Sequence, residues 1–183
     1  IRMFSGDLTE KLTISNLLSA TIDAFDRVDI LINANRKMVV SEVLNPDSDA
    51  VEELWRQNVL SALRISQITA KRMIQHGQRD GAEDGAMLGS IINLSSIAAQ
   101  ATRPELLAYS MAAAAMDQMT RSLAVALAPK GIRVNAVAFG SVMSASLQAS
   151  LKENPGFRDE IAAATPLGRI AAPAELAEAV QFL

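Results

Sequence analysis

A chain of 183 residues fits a single domain and is long enough to bury a substantial core. Hydrophobic residues make up 50% of it, charged residues 20%, and the net charge is only -3, a balance that excludes a disordered chain and the basic footprint of a nucleic-acid binder. No cysteine is present, which removes disulfides, thiolate metal sites and a cysteine nucleophile, and fits a reducing compartment such as the cytoplasm.

The opening IRMFSGDLTEKL lacks a basic region followed by an apolar run and a cleavage site, so it reads as mid-domain sequence rather than a signal peptide. SNLLSATIDAF has helical periodicity and leads into VDILIN, a first short strand from Val28 to Asn33. NPDSDAVEEL offers Asp and Ser caps and an acidic first turn to a long helix through VEELWRQNVLSALRISQITAKRMI. HGQRDGAEDGAMLGS is rich in glycine and charge and reads as a surface loop before SIINLS, a second strand from Ser90 to Ser95. LLAYSMAAAAMDQMTRSLAVALA is the next helix. APKGIRV then supplies the Pro and Gly expected where a helix stops, and IRVNAVA, Ile132 to Ala138, is a third strand. PAELAEAVQFL closes the chain as a helix. The longest apolar runs are broken by Lys130 and Arg133 well short of the ~20 residues a bilayer needs, so no membrane span is expected. There is no internal repeat and no domain linker.

Short buried strands alternating with long helices imply an α/β architecture, a doubly wound parallel sheet with helices on both faces. Three strands leave two edges and too little cover for these helices. The chain also begins at Ile1 and its last helix has no strand after it. The expectation is therefore a single Rossmann-like domain over residues 1–183 that lacks an N-terminal βαβ portion and the last strand.

Ser96 follows the second strand, and Tyr109 lies thirteen residues later in the first turns of the next helix. A loop returning over the carboxyl edge of the sheet, where ligands bind in such folds, brings both hydroxyls to one place. His76 is the only histidine and sits near a helix end, where a surface cap is expected. That leaves no Ser-His-Asp triad and no histidine-rich metal site. The adjacent acids Glu52 and Glu53, and Asp159 and Glu160, read as solvated faces. Met111, Met116 and Met119 follow helical spacing and read as packing residues.

The motifs GDLTE, DILINAN, WRQNVLSA, INLSS, YSMAA, NAVAFGSVMS and PLGRIAAPAELAEAVQFL, in this order and across essentially the whole chain, resemble those of the classical short-chain dehydrogenase/reductase family. In general character the chain is similar to bacterial 3-oxoacyl carrier-protein reductases and hydroxysteroid dehydrogenases. The resemblance implies an NAD- or NADP-dependent oxidoreductase that interconverts a carbonyl and a secondary alcohol. It gives Tyr109 the proton transfer to the substrate oxygen, Ser96 a hold on the same oxygen, and Asn58 a water of the proton relay. It places cofactor contacts at Asp7 and Leu8 near the adenine, at Asn33 and Ala34 on the strand end, at Tyr109, and at Gly140, Val142 and Ser144 in the turn that meets the nicotinamide. The partners it implies are a small-molecule carbonyl or alcohol and a second copy of the chain, a homodimer or homotetramer built on the Asn58 and Tyr109 helices. The small residues of YSMAAAAMDQMT let helices approach closely, though they serve equally well against the sheet. No nucleic-acid or membrane partner is expected. The segment from Ser141 to Arg169, with Met143, Leu147, Leu151 and Phe157, resembles the family's substrate lid.

Three departures bear on the chemistry. The lysine of the Tyr-x-x-x-Lys pattern is Ala113. A tyrosine ionises near pH 10, so proton transfer near neutrality needs roughly 4 kcal/mol of phenolate stabilisation. The family's lysine supplies charge there and holds the nicotinamide ribose; Ala113 does neither. In the Asn-Asn-Ala-Gly pattern, Asn33 keeps the first place while Ala34, Asn35 and Arg36 replace the rest, and an arginine in place of glycine crowds the adenosine half of the cofactor. Phe139 stands where the family has Pro before Gly140. The expectation is impaired or atypical catalysis, the alternative being a non-catalytic binding or oligomeric interaction protein. Arg36 and Lys37, which follow the cofactor-edge strand, are candidates for a substitute cation if turned inward against the usual preference of such side chains for solvent.

Overall fold

The computed structural model describes residues 1–101 and 103–183. In chain order it contains α1 (Lys11–Phe25), β1 (Ile30–Asn33), α2 (Val51–Leu54), a π-helical turn (Trp55–Leu60), α3 (Ser61–Arg79), β2 (Gly89–Ser96), α4 (Leu107–Leu127), β3 (Ile132–Phe139), α5 (Ala145–Glu153), α6 (Phe157–Ala164) and α7 (Pro173–Phe182). The three strands form one parallel sheet in the order β1-β2-β3, with Ile32 beside Ile92 and Ile91 beside Val134.

Strand alternation sorts the side chains between two helical layers. Ile91 and Val134 point to one face, where they meet Ala70 and Met73 of α3 and partly buried Leu123 and Leu127 of α4. Val137 and Phe139 point to the other, toward Leu176 and Ala179 of α7. Central β2 is buried almost throughout, its Ile91 and Ile92 adjacent rather than alternating with polar residues, and its buried Asn93 and Ser95 hydrogen-bonded. Burying each of the large side chains at its centre, Ile91, Ile132 and Met73, contributes about 1.5–3 kcal/mol. On the outer face of edge strand β1, by contrast, Ile30 and Ile32 are 61% and 46% exposed.

The helix expected from Val51 to Ile74 is interrupted. The π turn over WRQNVL widens it by one residue per turn and aims Asn58 and Val59 inward. Its start has no side-chain cap at the boundary residue; instead the Asp49 carboxylate accepts the Val51 N–H at 2.8 Å. α3 also runs on to Arg79, and this overturns the reading of His76 as a surface cap. His76 is one turn inside the helix, on the same side as Met73, and only 8% exposed, with Nδ1 unpartnered. Met116 packs in the core as expected, whereas Met111 is exposed.

The stop between α4 and β3 is set by Gly131 at φ 69, where a Cβ would lie 2.0 Å from the Ala86 carbonyl oxygen. Only glycine combines that backbone with that approach. No helix among the described residues is long and apolar enough to cross a membrane.

Candidate active site

The carboxyl ends of the three strands deliver the loop Ala34–Lys37, Ser96 and the Phe139–Val142 turn to one edge of the sheet. Ser96 caps the short turn Ile97–Ala99, its Oγ accepting the Ala98 N–H at 3.2 Å. Tyr109, in the first turn of α4, is only 5% exposed and packs with Leu54, Val59, Ala98 and Ala112. Asn58, Ser96 and Tyr109 line one small cavity together with Arg36 and Ala113. Its volume is about 20 Å³, room for roughly one water. The missing lysine has thus left no lysine-sized hole.

Arg36 lines the same cavity. Its Nη1 donates to the Tyr109 phenol oxygen at 2.7 Å. The guanidinium carbon stands 5.7 Å from the centre of the Tyr109 ring and 4.6 Å from that of Phe139. A planar, delocalised cation stacks on an aromatic face in a way an ammonium does not, so Phe139 fixes the plane from which the hydrogen bond is made. The expectation that Arg36 crowds the adenosine half is replaced here by a different placement, toward the tyrosine. Two departures from the family pattern, Arg36 for Gly and Phe139 for Pro, meet in this one contact.

Backbone clamps aim the arginine. The Asn58 amide oxygen accepts the Lys37 N–H at 2.7 Å, and its amide nitrogen donates to the Lys37 carbonyl at 2.8 Å. Asn35 donates to the Gln57 carbonyl at 3.2 Å and to Ser61 Oγ at 2.8 Å. The residues on either side of Arg36 are therefore tied to the π turn. Lys37 itself turns outward and pairs with Glu53.

Asn33 is placed differently from a ligand-facing residue. Its side chain is buried at 3% exposure and donates to Ser66 Oγ at 2.9 Å and to Asn93 Oδ1 at 2.7 Å. Asn93 in turn donates to Thr120 Oγ1 at 2.8 Å, so one buried polar chain links β1, β2, α3 and α4. Ser95, next to Ser96 but facing the opposite way, donates to Asp117 on α4 at 2.5 Å. Asn93 and Ser95 lie within the INLSS motif, whereas their partners Ser66, Asp117 and Thr120 fall in no motif.

Beyond Phe139 lies a larger cavity of about 410 Å³ at the carboxyl end of β3, bounded by Gly140, Val142, Ile161, Leu176 and the side chains of Arg103 and Arg169. Phe139 lines it on one side and carries Arg36 on the other. A Cβ on Gly140 would come within 3.1 Å of Ile97 Cδ1, so the turn passes close to the Ser96 loop. Val142 bridges to Ala171, and Ser144 caps α5 by accepting the Leu147 N–H at 3.2 Å. On the rim, Arg169 and Glu175 form two hydrogen bonds, at 2.6 and 2.8 Å. With the Ala172 N–H as a further donor, they hold the Glu175 carboxyl down at about 2. Asp7 and Leu8 lie apart from this group, in an exposed turn whose Thr9 carbonyl is held by Arg64 of α3. The Thr9 N–H bonded to Asp7 keeps that carboxyl below its ordinary range.

The small residues of α4 have a visible use. Ala108, Ala112 and Ala113 are all buried within the protomer, where they let the helix close on β2 and the π turn.

Comparison with known proteins finds relatives along the whole chain. The family model described as Enoyl-(Acyl carrier protein) reductase matches residues 1–183. The glucose and ribitol dehydrogenase homolog 2 of Arabidopsis thaliana is 31% identical over 181 residues, covering 99% of this chain and 58% of the relative. The L-rhamnose 1-dehydrogenase (NAD(P)(+)) of a Sphingomonas species is 28% identical, covering 97% and 66%. Among solved structures, a gluconate 5-dehydrogenase from Burkholderia cenocepacia in complex with NADP and tartrate superposes with a TM-score of 0.82 at 25% identity, over 97% of this chain and 66% of that one. The chain thus spans 58% to 66% of the length of these relatives. Whole-chain agreement with the family model, joined to the parallel sheet and the Ser96–Tyr109 edge, establishes that the chain belongs to the short-chain dehydrogenase/reductase family of oxidoreductases.

Proposed function

We propose that the protein is an NAD(P)-dependent oxidoreductase that interconverts a small carbonyl compound and the corresponding secondary alcohol. The observation that carries this reading is a buried tyrosine whose oxygen already holds a cationic hydrogen-bond donor, on the same cavity wall as Ser96. The residues present fit a nicotinamide cofactor at the Gly140–Val142 turn, where a cavity of about 410 Å³ is within the range of small-molecule sites. NADP in the Burkholderia relative supports this choice of ligand. When bound, the nicotinamide supplies or accepts the hydride at the carbonyl carbon.

The chain's own part is the proton. In the reducing direction Tyr109 gives its phenolic proton to the carbonyl oxygen as the C–H bond forms, and the phenolate regains a proton from solvent; oxidation runs the same transfers backward. Ser96 is placed to hold that oxygen with its hydroxyl, since its Oγ accepts from Ala98 and keeps its own proton free to donate. Asn58 acts by holding the Arg36 loop through the Lys37 backbone. Gly140, Val142, Ser144, Ala34, Asn33, Asp7 and Leu8 complete the cofactor side of the proposal. Asn33 enters it only as scaffold, its side chain being engaged with Ser66 and Asn93. We take the working form to be a homodimer or homotetramer in the cytoplasm, a reading supported by family membership and the absence of cysteine.

The test is a titration of the purified protein with NADH and with NADPH by calorimetry, followed by turnover against a panel of sugars, polyols, acyl thioesters and steroids. The expected result is saturable binding of one nucleotide and turnover of at least one class. Folded protein that binds neither would overturn the reading.

A further inference from the structure

The unexplained feature of the site is that the Ser96 and Tyr109 hydroxyls share a cavity with a helix position, Ala113, that carries no charge. We propose that Arg36 is the cation of this active site: delivered from the loop after β1 rather than from α4, its guanidinium holds the Tyr109 oxygen in the charged form that proton transfer produces. This rests on the reductase reading for its purpose, but not for its test.

The geometry supports it from three directions. The 2.7 Å contact from Nη1 is the length of a charge-assisted bond, and it uses the phenol oxygen as acceptor, so the phenolic proton stays free for the substrate. The stack on Phe139 at 4.6 Å and the clamps on Asn35 and Lys37 fix the guanidinium before any reaction, which is what electrostatic stabilisation requires. The cavity lined by Arg36, Tyr109 and Ala113 is only about 20 Å³, so the guanidinium and the phenol oxygen meet in a confined space.

The other charged groups on elements packed against Tyr109 are otherwise engaged or directed elsewhere. Lys37 is paired with Glu53, and Asp117 on α4 is bonded by Ser95. Glu52 and Arg56 are exposed on α2 and the π turn, Arg103 lies at the larger cavity, and Glu105 precedes α4 at the surface. Among the described residues, only Arg36 makes a hydrogen bond to the phenol oxygen. Arg36 itself is solvent-exposed along part of its length, so screening keeps its effect well below that of a buried ion.

The chain contains one tyrosine, so the ultraviolet absorbance of phenolate as pH is raised reports on Tyr109 alone. The experiment compares the native protein with R36K, R36M and R36Q, each checked by circular dichroism across the pH range used. Charge on Arg36 predicts that phenolate forms at higher pH in R36M and R36Q than in the native protein, with R36K between. Coincident titrations of the native protein and any folded uncharged variant overturn the proposal. Neither cofactor nor substrate is needed, so the result stands even where no turnover is found. Conversely, turnover whose pH profile is the same in native and R36Q protein removes the role given to Arg36 and leaves the reductase reading intact.

Discussion

Among the described residues no hydrogen bond joins Asn58 to Arg36, yet the first positions the second. The Asn58 amide bonds both the N–H and the carbonyl of Lys37, and the arginine one residue earlier is thereby held with its Nη1 at 2.7 Å from the Tyr109 oxygen. A residue that the family pattern marks for a water relay serves here, through its side chain, as the anchor of a displaced cation.

Removing that anchor separates positioning from fold. N58A leaves two backbone groups of Lys37 without partners and is expected to lower stability by about 1–3 kcal/mol. Because Arg36 is then free to leave Tyr109, turnover falls further than R36K alone lowers it, while nucleotide binding changes less. Chemical denaturation and steady-state kinetics on the same preparation check both halves.

The proposed mechanism gives the hydroxyls of Tyr109 and Ser96 separate jobs and separate costs. Y109F removes the proton carrier and is expected to reduce kcat on the order of a thousandfold with KM little altered. S96A removes one donor to the substrate oxygen and is expected to cost on the order of a hundredfold. Equal activity of Y109F and native protein, measured in initial rates, refutes the assignment of Tyr109.

Much of this fold was legible in the sequence because its signals are local. VDILIN, SIINLS and IRVNAVA are short β-branched runs with glycine or polar flanks, and each is a strand within two residues of its expected bounds. The π turn was not legible, since WRQNVL has the same apolar spacing as an ordinary helix and the insertion follows from packing against α4 and the loop after β1. His76 was misread for a related reason: the helix ends at Arg79, not near Ile74, and a boundary error of one turn moves a side chain from surface to interior. The candidate site divides the same way. Ser96 and Tyr109 announce themselves by spacing, whereas the Arg36–Phe139 stack joins residues 103 positions apart and only the structure shows it. Its sole trace in the sequence is that three departures, at Arg36, Ala113 and Phe139, occur in one chain.

Acid exposes the rim of the larger cavity. The folded Glu175 carboxyl sits at about 2, below its usual 4.5, so its contribution to the start of α7 is complete above pH 4.5 and is lost as pH falls toward 2. The Ala172 N–H, which donates to that carboxylate, is expected to lose its protection, measured against the intrinsic exchange rate at each pH, over that window in native protein. In E175Q that protection is expected to be low already at neutral pH and to vary little with acid.

Gly131 gives a control away from the site. G131A forces a side chain into φ 69 and against the Ala86 carbonyl, and is expected to destabilise the protein by more than about 1 kcal/mol. The Tyr109 phenolate titration of the folded fraction should not move, which a thermal melt and an absorbance titration together test.

The most direct measurement for the whole account is a turnover cycle that moves the cation back to α4: native protein, R36G, A113K and R36G/A113K. The account predicts at least a tenfold loss in R36G, no gain in A113K because two cations then crowd one phenol oxygen, and recovery of most of the native rate in the double variant. Independent, additive effects of the two substitutions, or a native rate in R36G alone, would contradict it.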